Sequence, residues 1–424
     1  MSAEAVRLTL DKPVYGGDCL ARLDRKAVFV PLTLPGETVS ARIVESRKGF
    51  SRAEVEAVLT PSPDRIAPAC PHFGACGGCH LQHASYPAQL ALKRQVLRDT
   101  LTRAGVALPA NIDTLAGEPW GYRNRIRLAV TPTSEMGYRG RKSHEIIPIT
   151  KCPIAAPLLV ETALQLAPLL AGAPAPIPEL ELFTNPGGSG LLVTLFCSTE
   201  AANAGLWLAD VAARLPRITG LRLHMGDGGL NPRILAQTGA SALAYSAGGF
   251  PYRVEHGAFF QVNRFLADRF VAAVTGGHHG QLAWDLYAGV GLFARPLTAQ
   301  FGQVLAVESA EASFAGLREN LAGTSGTAIG STTLDFLRRN RVQREARPDL
   351  IVLDPPRAGL GEQTCTLLNA IHAPRMTYVS CDPATLARDL HQLTQERFRL
   401  DAVTMVDMFP QTYHLETIAT LTRC

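Results

Sequence analysis

The chain has 424 residues, 46% hydrophobic and 18% charged, which is enough to bury the cores of two or three domains. Its formal net charge of +4 fits a nucleic-acid partner only if basic residues are concentrated locally. No run of 18 apolar residues occurs, and the first residues are charged where a signal peptide would be apolar. We therefore expect a cytoplasmic protein, in which nine cysteines do not form a disulfide framework.

Residues 1–60 predict a small β-barrel. Alternating apolar segments at 7–10 and 27–30 are separated by turn sequences, and further strands are expected at 38–45 and 52–59. Five short strands at this spacing are typical of an OB-like barrel, a fold that often binds nucleic acid. Acidic residues nearly balance the basic ones here, so a solvated surface without a partner is an equal alternative. A proline-rich linker follows at 61–65.

The next segment carries a metal-site pattern. Cys70, Cys76 and Cys79 are separated by five and two residues, and glycines between them let the backbone wrap tightly. A fourth ligand has to come from elsewhere, and Cys152 is the best candidate because its Cys-Pro sequence matches that of Cys70. The pattern favours a [4Fe–4S] cluster. Structural zinc completed by a nearby histidine, and thiols without a ligand, are the alternatives.

Residues 86–105 read as an amphipathic helix that stops at a glycine. A basic segment with interleaved aromatic residues follows at 120–142, where six basic residues face a single acid, Glu135. The six are Arg123, Arg125, Arg127, Arg139, Arg141 and Lys142. The first three recur at period two, which predicts one strand face, with 137–142 as the hairpin partner. This suits phosphate contact and base stacking, although a solvated strand face has the same pattern.

From 154 to 250 the sequence predicts only a strand at 191–196 and a turn at 226–229, and it indicates no chemistry. The last third differs. A strand at 282–286 runs into a turn with Gly289 and Gly291, and the next strand ends in Glu308, where a carboxylate would accept ribose hydroxyls. Asp285 argues against a phosphate ligand, so the set favours S-adenosylmethionine, a cationic nucleoside. Glycines that serve helix–strand packing alone are the alternative.

Two more predicted strands deliver polar groups to the same edge. Residues 349–353 precede Asp354-Pro-Pro-Arg, and 376–380 precede Cys381-Asp-Pro. The carboxyl ends of such strands are where open α/β sheets bind ligands, so the thiol of Cys381 is a candidate nucleophile. A small buried hydrophobe is the plainer interpretation, since free cysteines are usually inert. Glu416, before the apolar strand 418–421, would by itself be taken for a surface charge.

Taken in order, these motifs resemble the RNA uracil-5-methyltransferase family. They are Gln261, the 285–293 turn, Asp354-Pro-Pro-Arg, Ser380-Cys381-Asp-Pro and His414-Leu-Glu416. The resemblance implies a multidomain fold: a TRAM-type OB-like barrel (1–60), a central α+β RNA-binding domain with the iron–sulfur site (61–250), and an α/β Rossmann-like class I methyltransferase domain (251–424). The helix near 86–105 is expected to pack on the last of these. The cysteines match those of the family's [4Fe–4S] members.

The resemblance also implies site roles. The residues expected to contact or surround S-adenosylmethionine are Gln261, Tyr287, Glu308, Asp335 and Asp354. Cys381 would be the nucleophile that adds to the 6-carbon of uracil, in a setting that favours the thiolate, and Glu416 the base that removes the 5-carbon proton. Family members often have Asn where this chain has Leu292.

The implied function is methyl transfer to the 5-carbon of a uridine in RNA, with 23S rRNA favoured over tRNA, by a monomer without membrane contact. A methyltransferase acting on an exocyclic amine is one alternative, but an aromatic residue would be expected where Arg357 follows Asp-Pro-Pro. A non-catalytic RNA-binding iron–sulfur protein is another. We expect the cluster to be structural, because polar methyl transfer needs no electron transfer.

Overall fold

The protein is described here by a computed structural model covering residues 5–226, 233–340 and 347–424. Apart from Gly226, the turn predicted at 226–229 lies outside these residues. The first five strands close into a barrel of order β1-β2-β3-β5-β4, as the sequence predicts. Alternate residues such as Leu8 and Leu10 fill it, because a strand sends successive side chains to opposite faces. The strands are β1 (Ala5–Pro13), β2 (Asp18–Leu23), β3 (Lys26–Pro31), β4 (Thr38–Ser46) and β5 (Phe50–Thr60).

The chain then leaves the barrel without forming a helix or strand until α1 (Tyr86–Arg103). Proline in its first turn suits a helix start, and Gly105, with φ +77°, ends it as predicted. Leu97 and Leu101 of α1 are buried in the core beneath the C-terminal sheet. The short strand β6 (Asp113–Leu115) joins the edge of that same sheet.

The middle of the chain forms a seven-stranded sheet of order β13-β12-β11-β10-β7-β8-β9. Its strands are β7 (Arg125–Val130), β8 (Met136–Arg139), β9 (Ile146–Pro148), β10 (Glu179–Thr184), β11 (Leu191–Cys197), β12 (Gly220–Met225) and β13 (Arg233–Gly239). Helices α2 (Pro157–Leu166) and α3 (Ala204–Arg214), with a 3₁₀ turn at Ala167–Gly172, cover its apolar face. The strand predicted at 191–196 is β11.

A hairpin of β14 (Ala242–Ala247) and β15 (Phe250–Glu255) leads into an eight-stranded sheet of order β18-β17-β16-β19-β20-β22-β21-β6. The five neighbouring strands β18, β17, β16, β19 and β20 are parallel, and β22 is antiparallel to β20. The strands are β16 (Gly280–Leu286), β17 (Phe301–Glu308), β18 (Gly326–Gly330), β19 (Leu350–Leu353), β20 (Arg375–Ser380), β21 (Phe398–Val406) and β22 (Glu416–Arg423). The helices are α4 (Ala267–Thr275), α5 (Ala294–Leu297), α6 (Glu311–Leu321), α7 (Thr333–Asn340), α8 (Gly361–Ala370) and α9 (Pro383–Glu396).

This arrangement is the predicted Rossmann-like one, with an apolar core on each face of the sheet. The three-domain division of the chain stays a prediction. Two elements cross its boundaries: α1 and β6 pack with the C-terminal sheet, and the β14–β15 hairpin spans the boundary predicted between residues 250 and 251. In the described parts of the chain no helix is long and apolar enough to cross a membrane.

Candidate active site

A cavity of about 590 Å³ opens at the carboxyl ends of β16, β17, β19 and β20. Parallel strands bring residues that are distant in sequence to one edge, where their side chains meet. Six of the seven residues predicted for catalysis and cofactor binding line this cavity. They are Gln261, Tyr287, Glu308, Asp354, Cys381 and Glu416.

The turn after β16 forms one wall of the cavity. Tyr287, Gly289 and Gly291 all have positive φ, so the chain reverses tightly. The Glu308 carboxylate accepts hydrogen bonds from the N–H of Gly289 at 2.8 Å and from Ser309 and Ala310. A Cβ atom added at Gly289 would meet nothing within 4 Å, so this glycine faces open space. The turn and Glu308 therefore line the same side of the cavity and are held together by these hydrogen bonds.

Asp335 does not reach this cavity. It lies in the first turn of α7, where its carboxylate accepts from the Thr332 hydroxyl at 2.8 Å and its N–H donates to that hydroxyl at 3.1 Å. The pair caps the helix, and a contact of Asp335 with the cofactor stays a prediction. Leu292, where the family often has Asn, does line the cavity, and its carbonyl accepts from the Tyr252 hydroxyl at 2.8 Å.

The polar groups at the cavity are mainly acidic. Burial raises the pKa of Asp354 to about 7 and, together with Asp354, raises the pKa of the neighbouring Asp285 to about 8. The Glu416 carboxyl is 3% exposed, and burial followed by Asp354 raises its pKa well above the usual range. Its Oε1 has no hydrogen-bond partner among the described residues. Crowded carboxyl groups of this kind favour a cationic ligand such as a sulfonium.

The thiol of Cys381 projects into the same cavity from the end of β20. Burial, then Glu416 and Asp354, raise its pKa to about 12, while the Arg357 guanidinium acts in the opposite direction. The sequence-based expectation of a setting that favours the thiolate was therefore wrong for the free protein. Burial disfavours a charged sulfur, and the two neighbouring carboxyl groups add to that effect more than one arginine offsets it.

Several cavity residues were not predicted as site residues. Phe259, which is 61% exposed, lies two residues before Gln261, and His414 lies two residues before Glu416. An extended chain sends residues i and i+2 to the same side, and that periodicity could have indicated both. The neutral His414 ring lies with Nδ1 3.4 Å from a guanidinium nitrogen of Arg357. Phe409 completes this side of the cavity.

The six predicted RNA-contacting residues separate into three groups. Arg125 and Arg127 share one face of β7, but each pairs with a carboxylate of β10, Glu181 at 2.9 Å and Glu179 at 2.7 Å. The prediction of unbalanced positive charge was wrong for these two arginines. The acids that balance them are more than 50 residues away in sequence. RNA contact by any of the six stays a prediction.

The remaining four basic residues lie elsewhere. Arg123 precedes β7 and lies beside the cysteines rather than on the strand face predicted for it. Arg139, Arg141 and Lys142 line a basin of about 510 Å³ together with the β1–β2 turn of the barrel and Tyr413. The basin lies next to the active-site cavity, because the ring of Tyr413 in the basin packs against that of His414 in the cavity, with ring centroids 4.1 Å apart.

Cys70, Cys76, Cys79 and Cys152 line one small cavity of about 90 Å³. Burial raises the pKa of Cys79 to about 12 and also raises the pKa of Cys76 and Cys152. Across the described residues, no group of three or more His, Cys, Asp or Glu side chains is arranged to hold a metal ion. The four cysteines therefore share one cavity, and a metal group held by them stays a prediction.

Comparisons with known proteins agree with this geometry. A profile of the tRNA (Uracil-5-)-methyltransferase family matches residues 240–424, and a TRAM domain profile matches 3–55. A Halomonas elongata protein named 23S rRNA (uracil(1939)-C(5))-methyltransferase RlmD is 35% identical over 439 residues, covering 98% of this chain and 89% of that one. An uncharacterized RNA methyltransferase of Streptomyces avermitilis is 34% identical over 441 residues, covering 99% and 98%.

The fold has a counterpart among solved structures. The Pyrococcus abyssi tRNA (uracil-54, C5)-methyltransferase, in complex with S-adenosyl-L-homocysteine, superposes with a TM-score of 0.79 and 23% identity, covering 98% of this chain and all (100%) of that one. This similarity and the TRAM match confirm the predicted N-terminal barrel and the class I methyltransferase fold. Because relatives that are 34% and 35% identical match nearly its whole length, the chain belongs to the RNA uracil-5-methyltransferase family, which takes its methyl group from S-adenosylmethionine.

Proposed function

We propose that this protein methylates the 5-carbon of a uridine in 23S rRNA, with Cys381 as nucleophile and Glu416 as general base. The observation that carries the proposal is their presence in one cavity beside the glycine turn and Glu308. The name of the Halomonas elongata relative supports 23S rRNA as the substrate. A single chain supplies every group of the cavity, so we propose that a monomer is active.

The reaction starts with the 5-carbon of uracil, which is a poor nucleophile within its ring. Cys381 loses its thiol proton as its sulfur bonds to the 6-carbon, and the 5-carbon becomes the nucleophilic end of an enolate. The proton needs an acceptor because the free thiol is protonated at neutral pH. Asp354, with a pKa raised to about 7, is the neighbouring base with the right strength. S-adenosylmethionine, when bound, supplies the methyl group that the 5-carbon takes.

The second half of the reaction restores the ring. The Glu416 carboxylate removes the proton from the methylated 5-carbon, the 5,6 double bond re-forms and the bond from carbon to the Cys381 sulfur breaks. The leaving thiolate takes back a proton, so the protein returns to its starting state. A raised pKa makes Glu416 a stronger base than an exposed carboxylate, and its unpartnered Oε1 is available for the proton. The uridine has to leave its RNA stack to reach the thiol.

The substrate can be identified by mapping 5-methyluridine in RNA from cells that lack this protein. We expect one or more 5-methyluridines to disappear from 23S rRNA and to return when the wild-type protein is expressed, whereas the Cys381→Ala variant fails to restore them. Loss of the modification from tRNA alone would contradict the proposed substrate but not the chemistry. Unchanged modification of all RNA would contradict both.

We further propose that Cys70, Cys76, Cys79 and Cys152 hold a [4Fe–4S] cluster. Four cysteines line one cavity, and four thiolates are the ligand set of a [4Fe–4S] cluster. The Cys-Pro sequence shared by Cys70 and Cys152 supports the cluster over a single zinc ion. Polar methyl transfer uses no electron, so the group would tie the segment after the barrel to the Cys152 loop.

Metal analysis of anaerobically purified protein tests the cluster. We expect about four iron and four sulfide per wild-type chain. Cys76→Ala should lose them and also lower the melting temperature and the affinity for RNA, because the tie is broken. Cys424→Ala, a matched change at an exposed cysteine, should keep the iron. One zinc per chain would contradict the cluster, and normal stability and RNA affinity in Cys76→Ala would contradict its structural role.

A further inference from the structure

The nine residues 407–415 connect β21 to β22 and place Phe409 and His414 on the wall of the active-site cavity. Four successive carbonyl groups of this loop accept hydrogen bonds from distant parts of the chain. Met408 accepts from Asn263 at 3.2 Å, Phe409 from Lys93 at 2.9 Å, Pro410 from Tyr122 at 3.0 Å, and Gln411 from the backbone of His80 at 2.9 Å and Leu81 at 3.0 Å. All of these donors precede β16 in sequence, so an earlier part of the chain holds the loop in place.

Helix α1 supplies the most buried of these contacts. The Lys93 ammonium lies 2.6 Å from an Asp407 carboxylate oxygen, and the two side chains are 2% and 0% exposed. The Tyr86 hydroxyl donates to the other Asp407 oxygen at 2.9 Å. Charges this far from water persist only when each is paired and hydrogen-bonded, so the pair holds one geometry.

Gln89, one turn before Lys93, makes a two-way contact with the loop. Its Nε2 donates to Gln411 Oε1 at 2.9 Å, and its Oε1 accepts from the Gln411 N–H at 3.0 Å. Gln411 has a φ of +68°, a conformation that a residue with a side chain rarely adopts without support. The amide pair provides that support in the middle of the loop.

The loop matters for the chemistry because of where it ends. Its His414 lies against Arg357, the guanidinium that favours ionisation of both Cys381 and Glu416. A nine-residue connection without these contacts would populate many conformations, and each would move His414 and Phe409 relative to the thiol. A displacement of about 1 Å in such a site can lower the rate by about 100-fold.

We propose that Gln89 and Lys93 are positioning residues for the methyl-transfer reaction, acting through the 407–415 loop on the groups around Cys381. This inference rests on the proposed function. The helix that carries them lies more than 300 residues before the loop, which explains why the C-terminal sheet needs this earlier segment for its own active site. Neither residue lines the cavity, so their effect on catalysis is indirect.

The test compares Gln89→Leu with Val96→Ala on the same helix. Val96 is buried in the core, and its apolar side chain cannot form a hydrogen bond to the loop, so its variant reports the effect of lost packing alone. In Gln89→Leu we expect faster backbone hydrogen exchange in peptides covering 407–415, a kcat lowered by about 10- to 100-fold, and an S-adenosylmethionine Kd within about twofold of the wild type. In Val96→Ala exchange in the loop and kcat should stay close to wild type.

A second variant guards against misfolding. Lys93→Met combined with Asp407→Leu replaces the buried ion pair by apolar side chains of similar size, a change that is often neutral for stability. We expect it to show the same loss of kcat with preserved cofactor binding. A loop that loosens without a fall in kcat, or unchanged hydrogen exchange in both variants, would overturn the inference. RNA methylation absent already in the wild type would instead overturn the proposed function, so the two failures are distinguishable.

Discussion

Replacing Cys381 by alanine is expected to lower RNA methylation by at least about four orders of magnitude, while the Kd for S-adenosylmethionine stays within about twofold. The thiol forms the bond that makes the 5-carbon nucleophilic, and no other described cysteine reaches the cavity. The proposed site for S-adenosylmethionine consists of the 287–291 turn and Glu308, which the substitution does not touch. Single-turnover methyl transfer to RNA and calorimetric titration with the cofactor measure the two quantities.

The matched control for this prediction is Cys424→Ala, at an exposed cysteine in the last position of the chain. It should methylate at the wild-type rate. Cys381→Ala should also fail to form a covalent complex with RNA containing 5-fluorouridine, a substrate whose fluorine replaces the proton that the base must remove. Measurable turnover by Cys381→Ala would show that the reaction does not pass through this thiol.

Replacing Glu416 by glutamine is expected to trap the protein on its RNA. The amide has the size of the carboxyl group but cannot accept the proton from the methylated 5-carbon, so the Cys381 sulfur is not expelled. Addition and methyl transfer precede that step, and a covalent protein–RNA adduct carrying the new methyl group should therefore accumulate. Denaturing electrophoresis with labelled RNA detects it, and mass spectrometry after nuclease digestion locates it on Cys381.

The stability of Glu416→Gln provides an independent check of the electrostatics. Burial raises the pKa of Glu416 in the folded state, so the folded protein binds more protons than the unfolded chain between the two pKa values. Wild-type stability contributed by this group is present at low pH and is lost as pH rises towards the folded pKa. The variant lacks this loss, so its melting temperature relative to wild type should increase with pH.

Glu396→Gln, at an exposed position, is the control for the trapping experiment and should release product normally. If Glu416→Gln formed no adduct and turned over normally, Glu416 would be excluded as the base.

Much of the fold is predictable from local pattern. The barrel strands alternate apolar and polar residues. Among the parallel strands of the last third, β17 ends in Glu308, and β19 and β20 are followed directly by Asp354 and Cys381. Such patterns identify an element because each strand has to bury one or both of its faces. Strand β6 could not be found this way, since three residues at a sheet edge carry no periodicity.

Several predicted site residues that line the cavity stand at or directly after the end of a parallel strand. Glu308, Asp354 and Cys381 each stand at such a position, and the topology brings all three to the cavity. Asp335 lies further along the chain from its strand, inside the first turn of the next helix, where its carboxylate accepts from the Thr332 hydroxyl. The charge balance of Arg125 and Arg127 could not be predicted from the sequence, because only sheet pairing brings the strand that neutralises them alongside.

The sequence by itself determined the chemistry of this protein: which side chains are available, in what order, and at the end of which strands. The tertiary structure alone decided their protonation and their support. Burial raises the pKa of Cys381 to about 12, and Glu416 and Asp354, which come from other strands, add to that rise. The 407–415 loop beside the cavity is held by hydrogen bonds from Gln89 and Lys93, which lie on a helix some 300 residues earlier. A pKa and a hydrogen bond depend on distances through space, and separation along the chain does not contain them.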